Sequence, residues 1–537
     1  MHFIVNEIRT IYSPILRFVL FLFIGFASAT AFSQEKKRVE IIQAGSLEQS
    51  ESIANAQRLI DDVIIKHNDV LMYCDSAYTY QGSNRVDAFG NVHINQGDTL
   101  HLYARKVYYD GDNDFAQAIN KVVLKNKTIT LYTDTLDYDL EKNISYYDCF
   151  GTIVDSSNTL TSQVGEYFLD DDIVHFTDSV KGYSDKYTLI SDDVRYNTVT
   201  EVIYFDGPTT IQDTTNTLYA EDGWYNTVTG QAELTLNPKV YNPTQFIKAD
   251  YISYNEADGD GLATGNVHME DYENRSIVKG NRVEFNEITE IATATDSALF
   301  ISYNDVDSLF LHADTLRTIP DTIEGENLVK AFYGVRFFRA DVQGVCDSLI
   351  YFSKDSVAQL HYNPVIWSEN HQMNADYIEL IQQSNAPNEM HLTKNSFIIS
   401  KMDSARFDQI KGKDMVGYVI NGKLNNVDVD GNGQTLYYAR DKEAIIGLNH
   451  AESSTIAIQF QEGKIHKISF KKQPEGKLTP LEKLGNAEKE LPGFDWKIRL
   501  RPLSKDDVFN HPQKIKPEAD ETSEANKNAK TISKVIR

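Results

Sequence analysis

The stretch DAFGNVHINQGDTLHLYARKVYYD (87–110) decides the fold, because its parts recur along the chain at a fixed spacing. Its letters GNVH return in ATGNVHMED, which begins at Ala263. A large apolar residue followed two positions later by a small or polar one recurs every 29 residues, at Leu102, Leu131, Leu160, Leu189, Leu218 and Ile247. Seven positions after each start lies a tyrosine: Tyr109, Tyr138, Tyr167, Tyr196, Tyr225 and Tyr254. Self-similarity at a fixed period indicates a repeat architecture.

Each block carries the pattern of a bent β-strand followed by a second strand. Apolar residues recur with a period of two at Leu102 and Ala104 and again at Val107 and Tyr109, with a parity switch between the pairs. A β-bulge at offsets 3 and 4 would reconcile the two halves, and acidic residues lie there in several blocks: Asp134, Asp192, Glu221 and Asp250. A turn, a second strand and a Gly/Asn/Asp corner complete the block. The sequence therefore predicts an all-β array.

Composition limits the classes of partner. The formal net charge of −26 argues against binding to nucleic acid or to anionic lipid headgroups, both of which require clustered basic residues. The three cysteines (Cys74, Cys149 and Cys346) are too few for a disulfide framework, and we interpret them as small residues of strands.

The N-terminus has the pattern of a secretory signal peptide. Arg9 and Arg17 precede the apolar run FVLFLFIGFASATA (18–31), and small residues follow at Ala31 and Ser33. We expect cleavage before Gln34 and export of the mature chain. An uncleaved anchor is the alternative, but the run is short for a membrane span.

The regularity of the repeats divides the chain. After the signal peptide (1–33), a lead-in (34–57) holds a short helix around 49–59, and regular repeats occupy 58–319. Less regular β-structure continues over 320–470, where Asn421-Gly422 and Glu462-Gly463 predict two-residue hairpins. The remainder (471–537) is predicted to be a polar, largely disordered tail with one strand-like segment, FDWKIRLRP (494–502).

No motif points to catalysis or to a bound metal. The chain has no Walker loop, no G-x-S-x-G and no H-E-x-x-H, and its 13 histidines lack ligand spacing. The run DVDGNG (428–433) resembles the start of an EF-hand loop, but Ala439 stands where a bidentate Glu is required. Acidic clusters such as DGDND (110–114) are typical of tight turns. We therefore predict no catalytic residue, no metal site and no cofactor.

The blocks LMYCDSAYTY (71–80), DAFGNVHINQGDTLHLYARKVYYD (87–110) and LYTDTLDYD (131–139) resemble the OstA-like repeats of the LptA/organic-solvent-tolerance family. The resemblance covers 58–470 and is strongest over 71–303. It implies an elongated antiparallel β-jellyroll, open at both ends, that holds the acyl chains of lipopolysaccharide between two sheets in the periplasm or at the outer membrane. The implied partners are lipopolysaccharide or a related glycolipid and the jellyroll domains of LptC-like and LptD-like transport proteins. Head-to-tail self-association would also be open to such a fold.

Two sets of site residues follow. The inward rows combine large with small residues and would line a lipid groove; its predicted lining is Leu102, Ala104, Leu131, Leu189, Leu218, Ala220, Ile247 and Ala249. The alternative is that these rows form only a packed core. The first sheet edge is expected at RLIDDVIIKH (58–67), where Val63 and Ile65 would dock a related jellyroll by strand addition, and the far edge at KIHKISF (464–470). Alternatively, the preceding helix and the C-terminal tail cover both ends.

Three functions remain, in this order. The first is a lipopolysaccharide-transport bridge. The second is a structural or adhesive β-solenoid whose acidic turns bind calcium. The third is a carbohydrate-active enzyme on a parallel β-helix, which would need a cluster of catalytic Asp, Arg or Lys on one face of successive rungs, and the repeats show none.

Overall fold

A computed structural model describes residues 38–49, 55–97, 99–321, 326–352, 355–383, 386–441, 444–485 and 489–511. The predicted signal peptide and the region after Lys514 lie outside these residues. The chain divides into two compact units, the first comprising Met1–Lys127 with Tyr132–Ile144 and the second Thr128–Leu131 with Ser145–Arg537.

Most of the described residues lie in β-strands, and no α-helix occurs among them. The first strands are β1 (Glu40–Gln43), β2 (Ser46–Gln49), β3 (Ala56–His67), β4 (Val70–Tyr80), β5 (Arg85–Gln96), β6 (Leu100–Asp110), β7 (Phe115–Lys125), β8 (Thr130–Asp139) and β9 (Ile144–Tyr147). The second unit continues with β10 (Gly151–Val154), β11 (Asn158–Ser162), β12 (Val164–Phe168), β13 (Ile173–Ser184), β14 (Thr188–Asn197), β15 (Val202–Phe205), β16 (Thr209–Gln212), β17 (Thr217–Ala220), β18 (Asp222–Asn226), β19 (Gln231–Thr235), β20 (Lys239–Tyr241), β21 (Gln245–Lys248), β22 (Tyr251–Asn255), β23 (Asp260–Asp271), β24 (Ser276–Asn286), β25 (Ile291–Thr295), β26 (Leu299–Tyr303), β27 (Ser308–His312) and β28 (Thr315–Asp321). The later strands are β29 (Glu326–Phe338), β30 (Gln343–Phe352), β31 (Val357–His361), β32 (Val365–Ser368), β33 (His371–Asn374), β34 (Tyr377–Ile381), β35 (Asn388–Lys401), β36 (Phe407–Ile420), β37 (Lys423–Asp441), β38 (Ala444–Gln461), β39 (Lys464–Lys471) and β40 (Glu475–Thr479). Short 3-10 turns follow at Leu481–Lys483, Ile498–Leu500 and Asp506–Phe509.

The strands pair antiparallel, and long strands bend at a corner. β13, for example, pairs with β12 over 173–177 and with β11 over 181–184, while β14 runs along both halves. The predicted strands 102–109, 131–138 and 189–196 lie within β6, β8 and β14. The predicted fold class, an antiparallel β-jellyroll built from 29-residue repeats, is confirmed.

The repeated GNVH is the corner itself. In β5, Phe89 pairs with Lys106 and Val92 with Ala104, so Gly90 and Asn91 together face one residue of β6. Both have positive φ, +74° and +43°, as do Gly265 and Asn266, at +73° and +48°. The Asn91 amide donates to Asp75 at 2.9 Å, and the Asn266 amide donates to Asp250 at 3.0 Å.

The corner is a bulge and explains the parity switch, but its extra residue does not lie at offsets 3 and 4, where it was predicted. It lies on the facing strand, where Gly90 and Asn91 stand opposite Arg105, the offset-3 residue of β6. The switch lets a strand turn its apolar side chains to the same interior on both sides of the corner: Ala104 and Val107 are both buried.

The predicted hairpins are also present. Asn421 and Gly422, with φ of +51° and +75°, join β36 to β37, and Glu462 and Gly463, at +51° and +68°, join β38 to β39. The EF-hand-like run 428–433 lies inside β37, where Gly431 and Asn432 have positive φ and form another corner.

Two predictions for the lead-in are wrong. The helix around 49–59 is absent from the described residues, since Ser46–Gln49 is β2 and 56–59 begins β3. Leu59 and Val63 have helical spacing only because a two-residue corner, Asp61-Asp62 with φ of +62° and +47°, lies between them. Segment 58–67 is not a sheet edge either, because β1 and β2 pair with β3. Residues 40–49 are too short and too irregular for their sequence to indicate these strands.

The C-terminal region also differs from its prediction. Segment 494–502 contains a 3-10 turn and no strand. Residues 489–511, called the strap below, belong to the second unit and pack on its sheet, where Leu491 and Val508 are buried. Within FDWKIRLRP, Phe494 and Trp496 pack against the sheet, whereas Ile498 is exposed, and the side chain of Gln372, not a neighbouring strand, bonds to the backbone at Asp495.

Candidate functional site

The large apolar residues that open the blocks form one continuous row across neighbouring strands of the second unit. Their cross-strand register connects Leu189, Ile211, Leu218, Val240, Ile247, Met269, Val278, Phe300 and Leu311 in that order. Side chains in register on one face of adjacent strands contact each other. The row is therefore a continuous apolar strip on the interior face.

The burial of this strip changes along its length. Leu189 is 1% exposed and Ile211 5%, and at the other end Phe300 and Leu311 are 7% and 2% exposed. The five residues between them are only half-buried, and we call them the open row: Leu218, Val240, Ile247, Met269 and Val278. The interior is thus filled at both ends of the strip and accessible in the middle.

A second interior row has aromatic residues alternating with small ones. Its register connects Ile203, Tyr225, Ala232, Tyr254, Gly261, Phe285 and Ala292. A Cβ on Gly261 would lie 2.1 Å from the Phe285 ring, so the ring occupies the space that the missing side chain leaves. The small residues are required because each aromatic ring lies over the neighbouring strand.

A pocket of 770 Å³ is bordered by residues of this second row and by the row that alternates with it and faces the other side of the sheet, which includes Trp224, Glu233, Leu262 and Glu284. Its apolar lining consists of Trp224, Ala232, Tyr254, Gly261, Leu262, Phe285 and Ile291, and charged residues including Glu233, Asp260, Arg282 and Glu284 also border it. The volume is in the range of about 300–1,000 Å³ that ligand pockets occupy.

The tyrosines of the pocket region remain neutral at physiological pH. Burial is the main cause that raises the pKa of Tyr225 to about 12. Burial also raises the pKa of Tyr254, and the hydrogen bond that its hydroxyl donates to Glu287 adds to this effect. Both rings therefore offer uncharged aromatic surface.

The predicted groove residues separate into two groups. Leu102, Ala104, Leu131, Leu189 and Ala220 are buried, between 0% and 7% exposed, and belong to packed parts of the interior. Leu218 and Ile247 lie on the open row, and Ala249 is half-buried just before β22. Sequence reasoning missed Val240, Met269 and Val278, although their register with Ile247 follows from the repeat.

The predicted docking residues are not available as an edge. Val63 and Ile65 are 1% and 2% exposed, and β1 pairs with the stretch that contains Ile65. The exposed strands on that side are β1 and β2. At the other end β39 pairs with β38, and no second partner strand exists for it among the described residues.

One cluster in the second unit has the composition of a metal site. Single ligand atoms of His175, Asp193 and Asp206 lie within 4.8 Å of one another. His175 already bonds to Asp193 at 2.7 Å, and the Arg195 guanidinium donates two hydrogen bonds to Asp206. Because Arg195 balances the charge of Asp206, we explain the cluster as an ion-pair network and assign no metal to it.

Comparison with known proteins gives one family. The family described as OstA-like protein matches residues 36–192 and 173–250. None of the curated proteins matches the chain. A solved structure that matches is LptH of Pseudomonas aeruginosa, the LptA homologous periplasmic component of a lipopolysaccharide transport device; it has 16% identity and a TM-score of 0.19, with 20% of this chain and 80% of LptH covered.

Over the part of the chain that the structure describes, no helix combines the length and the hydropathy of a membrane span.

The family match runs from before β1 to the end of β21 and includes the start of the open row at Leu218, Val240 and Ile247. The resemblance found in the repeats is thereby confirmed over residues 36–250, which match the OstA-like family.

Proposed function

We propose that this chain is a periplasmic lipopolysaccharide-transport protein that holds acyl chains along its open row and passes the lipid towards the outer membrane. The observation that carries the proposal is the change in burial along a single apolar strip, from filled at Leu189 to accessible at Ile247. The match of residues 36–250 to the OstA-like family, whose repeats the sequence resembles, supports the choice of lipid.

The dimensions of the open row suit an acyl chain. Its five residues lie on five adjacent strands, and a strand spacing of about 4.8 Å gives a row of roughly 19 Å. This is comparable to an extended acyl chain. Each methylene group removed from water contributes about 0.8 kcal/mol, so a chain along the whole row would be held firmly.

Docking to related jellyrolls would use the exposed strands at the two ends. β1 and β2 are exposed along their length, and β39 carries Lys464, Lys467 and Lys471. Unpaired strand edges accept another strand, and lysines on an edge limit indiscriminate pairing. We therefore place the contacts with LptC-like and LptD-like jellyroll domains at β1, β2 and β39 in place of Val63 and Ile65.

The calcium-binding alternative gains no support from the acidic turns. In DGDND, Asp112 accepts hydrogen bonds from the backbone and side chain of Asn84, and Asp110 accepts one from the backbone N–H of Asp112. The carboxylates already serve the turn, as expected for tight turns.

The proposal is tested by purifying the protein from its native envelope and identifying bound lipid by mass spectrometry. We expect lipopolysaccharide or a related glycolipid with the native chain and at least a tenfold loss with Ile247→Asp, because a carboxylate in the row opposes apolar contact. Ile190→Asp is the matched control, because Ile190 is 62% exposed on the other face of its strand. Equal lipid recovery from both variants, or none from the native chain, would overturn the proposal.

A further inference from the structure

Two histidines come together on the outer face of the first unit, the face of the sheet that points away from the interior. His93 on β5 and His101 on β6 are eight residues apart in the sequence, and Nε2 of His93 lies 3.1 Å from Nδ1 of His101. His93 alternates with the buried Val92 and Ile94, which places its ring on the outer face. Both histidines are half-buried. The β5–β6 hairpin thus creates a pair of nitrogen donors that the sequence spacing alone does not indicate.

Two tyrosines fix the orientation of the His93 ring. Tyr73 on β4 and Tyr103 on β6 pair with His93 in register, so they flank it on either side. The centroid of the Tyr103 ring lies 4.4 Å from that of His93 with 6° between the planes, and the Tyr73 centroid lies 5.5 Å away with 20° between the planes. Burial and the neighbouring His101 lower the pKa of His93, so its nitrogen is free of a second proton near neutral pH. The imidazole is therefore held towards His101 before any ligand binds.

A third donor atom lies beside the histidine pair and lacks a partner. Asn95 follows His93 by two positions on the same face of β5 and lies directly opposite His101 on β6. Its Oδ1 is buried and makes no hydrogen bond to any residue that the structure describes. A buried polar atom without a partner is costly, and native proteins satisfy such atoms with ordered water or an ion. Opposite residues have Cβ atoms about 4.5–5.5 Å apart, so the amide oxygen can reach a ligand that is bound beside His101.

The separation of the two imidazole nitrogens suits a shared metal ion. Histidine nitrogens bind Zn²⁺ at about 2.0–2.1 Å, which holds two of them about 2.9 Å apart at a right angle and about 3.4 Å apart at a tetrahedral angle. The observed 3.1 Å lies between these limits. A hydrogen bond between the imidazoles accounts for the same distance but leaves Oδ1 of Asn95 without a partner. We propose that His93, His101 and Asn95 bind a divalent transition-metal ion, with water completing its coordination.

The donor atoms determine which ions bind. Imidazole suits copper, nickel and zinc, and Cu²⁺ forms the tightest complexes of the series, whereas Ca²⁺ requires six to eight oxygen ligands. Lys125 on β7 pairs with His101, and its ammonium group lies 6.0 Å from the centroid of the Tyr103 ring. This positive charge opposes a bound cation, so we expect Cu²⁺ to bind with micromolar affinity and Zn²⁺ more weakly. The site belongs to the first unit and the open row to the second, so this inference does not depend on lipid transport.

The test titrates CuCl2 and, separately, ZnCl2 into the metal-free protein, purified from its native envelope without a polyhistidine tag, and measures affinity by isothermal titration calorimetry. His93→Phe should weaken binding of both ions at least tenfold, because phenylalanine keeps the stacking between the tyrosines but removes the nitrogen donor. His101→Gln should cause a similar loss and Asn95→Leu a smaller one. His175→Phe is the matched control, because it removes a histidine from the ion-pair network of the second unit, and it should bind both ions as the native chain does. Circular dichroism of each variant should retain the β-sheet signal.

Electron paramagnetic resonance of the Cu²⁺ complex gives a readout that a change in stability would not mimic. The native chain should show splitting from two coordinated nitrogens, and His93→Phe should retain one at most. Unchanged affinity in folded His93→Phe and His101→Gln, loss of the tight site in His175→Phe instead, or displacement of bound Cu²⁺ by excess CaCl2 would each overturn the proposal. Native affinity in Asn95→Leu would exclude the amide oxygen as a ligand and so contradict the site of three donors.

Discussion

At the scale of single residues, the corners depend on glycine where a side chain has no room. Gly265 has φ of +73°, and a Cβ there would lie 2.3 Å from the nearest Asp250 carboxylate oxygen and 2.8 Å from the Asp250 Cβ. Gly82 has φ of +83°, and a Cβ there would meet nothing within 4 Å. Comparing substitutions at the two glycines therefore separates the energetic cost of backbone strain from that of steric crowding.

Replacing Gly265 with alanine should destabilise the protein more than replacing Gly82. Backbone strain alone costs about 1 kcal/mol at either position, and crowding against Asp250 should add about 1–2 kcal/mol at Gly265. Urea denaturation of Gly265→Ala and Gly82→Ala measures the difference. Equal losses of unfolding free energy in the two variants would show that the Asn266–Asp250 contact at the corner can be displaced without an energetic cost.

His371 makes stability depend on pH. It is 1% exposed, its Nδ1 lies 2.7 Å from the Ser400 hydroxyl, and burial lowers its pKa to about 4. The unfolded chain binds a proton at His371 below about pH 6.5, while the folded chain remains unprotonated until about pH 4. Stability is therefore lost as the pH falls through this window, by roughly 3 kcal/mol in total.

His371→Asn should remove this pH-dependent loss, because asparagine stays neutral while it can still bond to Ser400. Denaturation of both proteins between pH 7.5 and pH 4 measures the stability difference. We expect the free energy of unfolding of the variant to rise relative to that of the native chain by roughly 3 kcal/mol as the pH falls. A constant difference across the range would contradict the buried, neutral state of His371.

At the scale of elements, the later strands differ from the early ones because both of their faces are covered. The runs VIWS (365–368) and FIIS (397–400) are buried along their whole length. Such runs lose the two-residue alternation of a half-exposed strand, which is why the repeat pattern of this region is irregular in sequence. The hairpins at Asn421 and Glu462 were predictable, since each turn is determined by its own residues.

The covering strap was not predictable from local pattern. Its alternation over 494–502 indicated a strand, but Gln372 and Gln409 lie far away in sequence and take the place of a partner strand. Long-range side-chain bonds of this kind leave no periodic signal. For the same reason, the two strands of the lead-in could not be predicted from local sequence. They form because β3 has a free side to pair with.

Leu491→Ala tests the strap as an element. Removing this buried side chain should lower the local free energy of unfolding by about 2–5 kcal/mol. Hydrogen exchange should therefore increase at the amides of Leu491 and Lys497 and in β35 and β37. Leu503→Ala is the control within the strap, because Leu503 is 72% exposed. If both variants leave exchange in β35 and β37 unchanged, the strap does not stabilise the outer face.

At the scale of the whole molecule, the repeat determines the fold while the balance of packing determines where the interior is accessible. Leu189 and Ile247 occupy the same position of the 29-residue block, yet Leu189 is 1% exposed and Ile247 is half-buried. The all-β fold, the antiparallel pairing and the interior rows could be predicted because each depends on local period and turn chemistry. Accessibility depends on what faces a residue across the interior, and the block pattern carries no information on that.

The most direct test of the central claim is photo-crosslinking in living cells with a crosslinking amino acid at Ile247 or, as the control, at Ile190. Both lie on strands of the second unit, but only Ile247 belongs to the open row. The account predicts that position 247 captures lipopolysaccharide or a related glycolipid and that position 190 captures none. Capture at neither position while the protein remains folded, or equal capture at both, would contradict a lipid path along the open row.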